Sequence, residues 1–397
     1  MSTMSTMNNP FNPGSGTPPP YLAGREIHLN TFEKMLDSIE DGHIENLILS
    51  GLRGTGKTVL IEEFNKLCVK KGFLPIKRLQ FTKKYCDPYE FVIALTYDIR
   101  TVIESFSKIN FIKNKFMGAI SYFKPKQIGI PNIFYYEPAY SSSKIPFEDY
   151  LKEYLIKNWK VFENSKFKGA MLLYDEFHTI YDVPRKKWFT LSDFLGVLNE
   201  VQKEGCKYFV VFSGLPHLQI NIKKAKSYSE RMYKILEIGN LSEKEAKLAI
   251  YNPLKKSQYK FSNSLIDLIT KETGQYPYFI QFYGKEIINN TNKKSISVED
   301  FQKIRAIIVK QLDIDFFDAR MESLSEDEKK VIFAMSLFKN SDIPTDFIKT
   351  RTSIQRTSLS KYLGRLEEKG LIYNYKRGIY RFSVPLLKDY LIRKSTK

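Results

Sequence analysis

Cysteine, histidine and tryptophan are scarce: three, four and two among 397 residues. Cys68, Cys86 and Cys206 lie too far apart for a disulfide framework or a zinc cluster. His28, His43, His178 and His217 show no metal-ligand spacing, and His178 reads as a plain loop residue. No apolar run approaches the roughly 18–20 residues a membrane-spanning helix needs. The first twenty residues lack the basic start and apolar centre of a signal peptide. No polybasic amphipathic helix with a lipid-facing stripe stands out either. The expectation is a reduced, cytoplasmic protein without a membrane partner. Acid is also in short supply: 44 Asp and Glu face 62 Lys and Arg, a formal net charge of +18. That balance points to a polyanionic partner and says nothing about fold.

What the chain does have is apolar content, 43%, in a length sufficient for one to three folded domains. Residues 1–20 are rich in Ser, Thr, Asn, Gly and Pro, and bury too little to offset their ordering entropy; a disordered tail is expected. Over residues 21–240, the runs IENLILS (44–50), LPIKRLQF (74–81), GAMLLYD (169–175) and CKYFVVFS (206–213) alternate with helical patterns such as Thr58–Lys71 and Phe189–Lys203. The alternation predicts an α/β fold, a parallel sheet with helices on both faces. Residues 82–167 read as an insertion. Residues 241–316 read as all-helical, opened by Ser242-Glu243-Lys244-Glu245 as N-cap and first turn. Residues 322–397 read as three short helices and a hairpin, Leu371–Tyr375 and Ile379–Ser383 joined by Lys376-Arg377-Gly378.

The strongest local signal is Gly51-Leu52-Arg53-Gly54-Thr55-Gly56-Lys57-Thr58, an unbroken G-x-x-x-x-G-K-T after a buried strand and before a helix. Gly51, Gly54 and Gly56 let the backbone bend until its N–H groups, with those of Thr55 and Val59, converge on phosphates at the positive helix end. Lys57 would reach the β- and γ-phosphates of ATP, and the Thr58 hydroxyl would ligate Mg²⁺. Phosphoryl transfer also needs a carboxylate for the metal and a group that orients water. Asp175 and Glu176, ending an apolar strand, offer both.

These residues resemble AAA+ ATPases, in particular the branch that includes archaeal and eukaryotic origin-recognition initiators. The likeness runs over roughly residues 21–397. It implies that Tyr21-Leu22-Ala23-Gly24-Arg25-Glu26 lies beside the adenine, with Gly24 and Arg25 as cofactor-binding positions. It implies that Ser213 senses the γ-phosphate. Arg231, after Ser227-Tyr228-Ser229-Glu230, would be an arginine finger reaching a neighbouring copy in a homo-oligomer; a surface salt-bridge residue is the other reading. Ser213–Leu218, Ala225–Arg231 and Thr273–Gly284 resemble segments of a prokaryotic initiator-like group. The lid helix departs from initiators: Gly274-Gln275-Tyr276-Pro277-Tyr278 carries no arginine, and only Lys285 stands near. Pro277 is closer to the STAND signalling ATPases, where such a proline packs near the adenine. A simple helix start explains Tyr276 and Pro277 equally well.

The last module resembles a winged helix. Arg356, Ser358, Ser360, Lys361 and Arg365 would line the outer face of its third helix, and Lys376 and Arg377 its wing tip. From Arg351 to Lys397 there are 12 Lys and Arg against 3 Asp and Glu, so 12 − 3 places +9 in 47 residues. Duplex DNA is the expected partner there; a protein-binding face with solvated charge is the alternative. In the insertion, Lys108, Lys113, Lys115, Lys124 and Lys126 interleave with Phe106, Phe111, Phe116, Tyr122 and Phe123, a weaker candidate for nucleic-acid contact. The resulting expectation is a Mg²⁺-dependent ATPase that couples nucleotide state to self-assembly and DNA binding. The rival is a STAND-like signalling or defence switch whose winged helix contacts an effector or loading partner.

Overall fold

Strands that are buried on both faces read as continuous apolar runs, and three such runs form the centre of a sheet in this chain. A computed structural model describes residues 9–14, 16–107, 146–226 and 231–395. The chain divides into two units: one of residues 27–51 and 57–237, the other of residues 1–26, 52–56 and 238–397.

In the first unit, helix α1 (Glu26–Glu40, from its second residue onward) precedes β1 (Asn46–Gly51), α2 (Lys57–Lys71), β2 (Leu74–Arg78) and α3 (Pro88–Ser107). Then follow α4 (Phe147–Asn164), β3 (Ala170–Tyr174), α5 (Thr190–Lys203), β4 (Tyr208–Gly214), α6 (His217–Ala225) and β5 (Tyr233–Ile238). The five strands are ordered β2-β3-β4-β1-β5. Pairing is parallel between β2 and β3, β3 and β4, and β1 and β4. Every residue of β1, β3 and β4 is buried, whereas the edge strands β2 and β5 include exposed positions.

Side-chain alternation sorts the sheet into two faces. Ile48, Leu172, Tyr174, Val210 and Phe212 join Phe91 and Leu95 of α3, Leu151 and Leu155 of α4, and Phe194 and Leu198 of α5 in one core. Their strand neighbours Leu47, Leu49, Met171, Leu173 and Val211 are equally buried and point the other way, toward the layer of α2. There Phe64 of α2 stacks on Phe32 of α1 with ring centroids 3.9 Å apart. The predicted parallel sheet with helices on both faces is the observed one. Helices α3 and α4 fall within the residues read as an insertion, and the Lys and aromatic cluster proposed for residues 108–126 lies outside the described residues, as does the Phe106 side chain.

The second unit is largely helical: α7 (Glu243–Lys255), α8 (Asn263–Glu272), α9 (Pro277–Asn289), α10 (Val298–Leu312), a π-helical turn Asp313–Asp318 and α11 (Ala319–Glu322). It continues with α12 (Glu326–Ser336), α13 (Thr345–Thr352), α14 (Arg356–Glu368) and α15 (Leu387–Ser395). Ser242, Ser297 and Ser325 close capping boxes with Glu245, Asp300 and Glu328, which fixes where three of these helices begin. Between them run β6 (Lys260–Phe261) and β7 (Ser295–Ile296), a short parallel pair. A three-stranded sheet follows, of β8 (Ile343–Pro344), β9 (Ile372–Lys376) and β10 (Ile379–Phe382), ordered β8-β10-β9.

One buried apolar set runs from Leu241 to Leu391 without a break at residues 316–322. Phe317 of the π turn stacks on Tyr390 of α15 at 4.9 Å, so the boundary expected there is crossed by packing. Part of the segment expected to be a disordered tail is packed. Phe11 is buried and stacks on Phe261, and Asn9 Nδ2 donates to the Lys285 carbonyl at 3.0 Å. A lone aromatic gives no periodic signal, yet Gly284 leaves the room in which its ring sits. Among the described residues, no helix is long and apolar enough to cross a membrane.

Candidate active site

Parallel register brings the chemistry to one end of the sheet. Tyr174 pairs with Phe212, and Leu49 pairs with Ser213. The residue after Tyr174, Asp175, therefore stands beside Ser213, close to where β1 gives way to the glycine-rich loop. Open parallel sheets place ligands at this carboxyl end.

Asp175 is almost fully buried and accepts three hydrogen bonds. Ser213 Oγ donates at 2.6 Å, Thr58 Oγ1 at 2.5 Å and the Glu176 backbone N–H at 2.8 Å. A buried carboxylate is tolerable when its lone pairs are met in this way. The Thr58 hydroxyl and the Asp175 carboxylate thus lie together, two oxygen ligands of the kind a Mg²⁺ ion takes beside phosphate and water. Among the described residues no group of three or more His, Cys, Asp or Glu could hold a metal unaided. Lys57 is buried and donates to the Gly51 carbonyl at 2.9 Å. Val59, the third residue of α2, is buried.

Glu176 follows Asp175 with φ +55°, a left-handed conformation that turns the chain sharply off β3. Its carbonyl accepts from the backbone N–H and the hydroxyl of Thr179, at 3.1 and 3.0 Å. Phe177 anchors the turn by stacking on Phe212 at 4.0 Å. His178, which the motif reading passed over, is buried, with Nε2 3.6 Å from Glu176 Oε2 and its ring edge-on to His217 at 5.0 Å. Its signal in the sequence was only its place, two residues after the acidic pair.

Within the helical unit the loop segment 52–56 is held by its backbone. Gly54 has φ +74°, which only glycine adopts without strain, and Gly56 has φ +92°. Thr55 Oγ1 donates to the Leu52 carbonyl at 2.9 Å and closes the turn. Arg25 Nη2 donates to the carbonyls of Thr55 and Gly239, each at 2.8 Å. Burial pulls its guanidinium below the ordinary arginine range, against the opposing pull of Glu245 and Glu26. Arg25 therefore braces the loop's backbone. Gly24, at φ +65°, gives room to the Glu245 carboxylate, which a Cβ would meet at 2.5 Å. Tyr276, fully buried, donates its hydroxyl to the Arg53 carbonyl and lies over Gly54. Pro277 occupies the first position of α9, where its missing N–H leaves nothing unsatisfied.

Arg231 is exposed just before β5, and Ser227–Glu230 lie outside the described residues. Arg356, Ser358, Ser360, Lys361 and Arg365 are exposed on α14, opposite the buried Leu359, Leu363 and Leu366; Lys376 and Arg377 are exposed at the hairpin tip. Arg365 Nη1 stands 4.0 Å from Glu328, a carboxylate that Lys369 also meets at 2.7 Å.

Residues 21–110 match the family described as AAA ATPase domain, and residues 314–391 match the one described as Domain of unknown function (DUF8462). No curated protein matches the chain. Its fold is similar to that of a Walker-type ATPase of Pyrococcus abyssi, at 13% identity and a TM-score of 0.60 over 96% of this chain and 99% of that one. It is similar also to the ORC2 protein of Aeropyrum pernix in its ADP form, at 14% identity and a TM-score of 0.50 over 96% and 97%. At such identities the likeness is one of fold. Strand order, loop geometry and domain match converge on the fold of Walker-type ATPases, with an AAA ATPase domain over residues 21–110.

Proposed function

We propose that the chain hydrolyses ATP with Mg²⁺ and uses the nucleotide state to govern self-assembly and duplex DNA binding. The observation that carries the catalytic part is the convergence of Thr58 and Ser213 on buried Asp175, next to Glu176. Lys57 binds the β- and γ-phosphates, and the backbone of Gly54–Thr58 cradles them. Mg²⁺ held by Thr58 and Asp175 would neutralise charge on the phosphates. Glu176 orients the attacking water and takes its proton, while Ser213 reports the phosphate through the carboxylate it shares with Thr58. Arg231 from a neighbouring copy completes the charge neutralisation, so turnover needs assembly.

The domains we assign are the AAA+ unit over 21–240, the helical lid over 241–316 and a winged helix over 322–397. For the last, the support is the order of α12, α13 and α14 followed by the β9–β10 hairpin, with Arg356, Lys361, Lys376 and Arg377 exposed. Helix α14 would enter the major groove and the hairpin tip would meet phosphates. One experiment tests both halves. Glu176→Gln should bind ATP normally and lose hydrolysis while still shifting duplex DNA. Lys361→Glu with Arg377→Glu should hydrolyse ATP and lose the shift. Retained DNA affinity in the double variant refutes the DNA reading and favours a protein-facing switch. That second reading has its own support: Arg53 of the phosphate loop packs against Gly370, at the turn between α14 and β9, as a STAND-like coupling would have it.

A further inference from the structure

A histidine in a loop is ordinarily solvated, and two residues beyond the acidic pair His178 had no assigned task. Its ring is nonetheless only 3% exposed. Burying an imidazole costs free energy unless polar neighbours compensate, so its place calls for a reason. Glu176 is one of the polar side chains that face it, with Oε2 3.6 Å from Nε2. The backbone around Glu176 is already immobilised. Its N–H donates to Asp175 Oδ1, its carbonyl accepts from Thr179 twice over, and its φ of +55° is held by the Phe177 anchor. Only the three side-chain torsions of Glu176 are left to decide where the carboxylate points. A general base acts within a narrow range of positions, and a displacement near 1 Å lowers rate by up to about 100-fold.

His178 is itself held from three sides. The His217 ring meets it edge-on at 5.0 Å and 83°. Asn221 Nδ2 donates to its carbonyl at 3.3 Å. Gly214, the residue after Ser213, lies so close that a Cβ there would sit 2.8 Å from the His178 Cβ. The end of β4 thus supports the imidazole as well as supplying Ser213.

We infer that His178 is a positioning residue for Glu176: backed by His217 and Gly214, it limits the carboxylate to the orientation in which it receives a proton from water. The inference rests on the reading of Glu176 as the water-orienting group. Steady-state turnover and ATP affinity are measured for His178→Leu, which keeps the volume without a polar atom, and for His178→Gln, which restores one. The leucine variant loses about 10- to 100-fold in kcat, keeps its ATP dissociation constant within twofold, and the glutamine variant regains part of the loss. Should the leucine variant not fold, His178→Ala is judged by the same two ratios. Unchanged kcat in the histidine variants beside an inactive Glu176→Gln overturns the inference alone. Wild-type turnover in Glu176→Gln by itself overturns the reading of Glu176, and the inference with it.

Discussion

Tyr276→Phe removes one oxygen from a fully buried ring and tests whether the phosphate loop is held in shape before nucleotide arrives. The hydroxyl donates to the Arg53 carbonyl, and the ring lies over Gly54, where a Cβ would come within 2.4 Å of the oxygen. Phenylalanine keeps the tilted contact with Phe279, whose ring centroid is 4.7 Å away, so packing is preserved. A hydrogen bond of this kind contributes about 0.5–1.5 kcal/mol, and leaving the half-buried Arg53 carbonyl without its donor adds part of the roughly 1–3 kcal/mol that a fully buried one costs. If the bond fixes the loop's course, roughly 1–2 kcal/mol is lost from nucleotide binding, or about 5- to 30-fold in Kd. Burial pushes ionisation of this hydroxyl well above the usual tyrosine range, so an assay near pH 8 compares protonated forms only. A fluorescent ADP analogue titrated against both proteins measures the difference, with thermal unfolding alongside. An affinity within twofold of wild type would refute the reasoning, and a lower melting temperature with unchanged affinity would refute it equally. In the second case the bond would serve the fold and not the loop.

Asp193, in the first turn of α5, is raised to about pKa 6 by burial, then by Glu148 and Asp182, against the pull of Lys226. Its folded-state value exceeds the unfolded one, so its charged form destabilises the native state at pH 7 and the deficit vanishes as pH falls from about 6 toward 4. Asp193→Asn should therefore raise the melting temperature at pH 7 and lose that advantage near pH 4; a gain independent of pH would contradict the assignment. Arg231→Ala should bind ATP as wild type and turn over slowly, with activity restored by mixing it with Lys57→Ala protein whose own arginine is intact. Absence of that complementation removes the trans-acting role. Gly370→Ala forces φ +69° on an L-residue and drives a Cβ to 2.8 Å from Arg53 Nε. It should cost about 1–2 kcal/mol or more in stability, and weaken ADP binding if the C-terminal module senses the loop through Arg53.

The interior of the sheet was legible because its chemistry is monotonous. IENLILS, GAMLLYD and CKYFVVFS are apolar on both faces, and β1, β3 and β4 coincide with them. Serine caps before acidic turns placed α7 correctly for a local reason that no tertiary contact overrides. Strands of two residues carry no period, so β6, β7 and β8 had nothing by which to be found. Helix α15 did carry a signal, Leu387, Tyr390 and Leu391 at helical spacing, but nine residues after a hairpin are easily read as its trailing end. Phe11 is the opposite case. Nothing in an Asn- and Pro-rich segment marks it, and its burial depends on a glycine 273 positions away, Gly284.

The same distinction separates the residues of the site, and it revises the charge argument. Lys57 and Thr58 were visible because phosphate chemistry dictates residue types at fixed spacing, Asp175 because it ends an apolar strand, and Ser213 only through the family resemblance. Arg25, Tyr276 and His178 act on neighbours that only folding supplies: the Thr55 carbonyl, the Arg53 carbonyl and the Glu176 carboxylate. The +9 of residues 351–397 likewise takes no account of partners outside that window. Lys369 meets Glu328 at 2.7 Å, Arg393 meets Asp313 at 2.5 Å, Lys394 meets Asp318 at 2.8 Å, and Arg381 pairs with Asp342. These acids lie in the π turn, in α12 and before β8, so the cations paired with them hold the module together instead of projecting a field. Among the described residues, Arg365 stands 4.0 Å from Glu328 and Lys388 Nζ donates to the Phe338 and Lys339 carbonyls, which leaves Arg351 near the end of α13, Arg356 and Lys361 on α14, and Lys376 and Arg377 at the hairpin tip to attract a polyanion. A DNA contact built on four or five phosphates would give a salt slope near −4, not the −8 that the bare count implies. The slope itself thus distinguishes a field of formal charge from the narrow exposed face the fold leaves open.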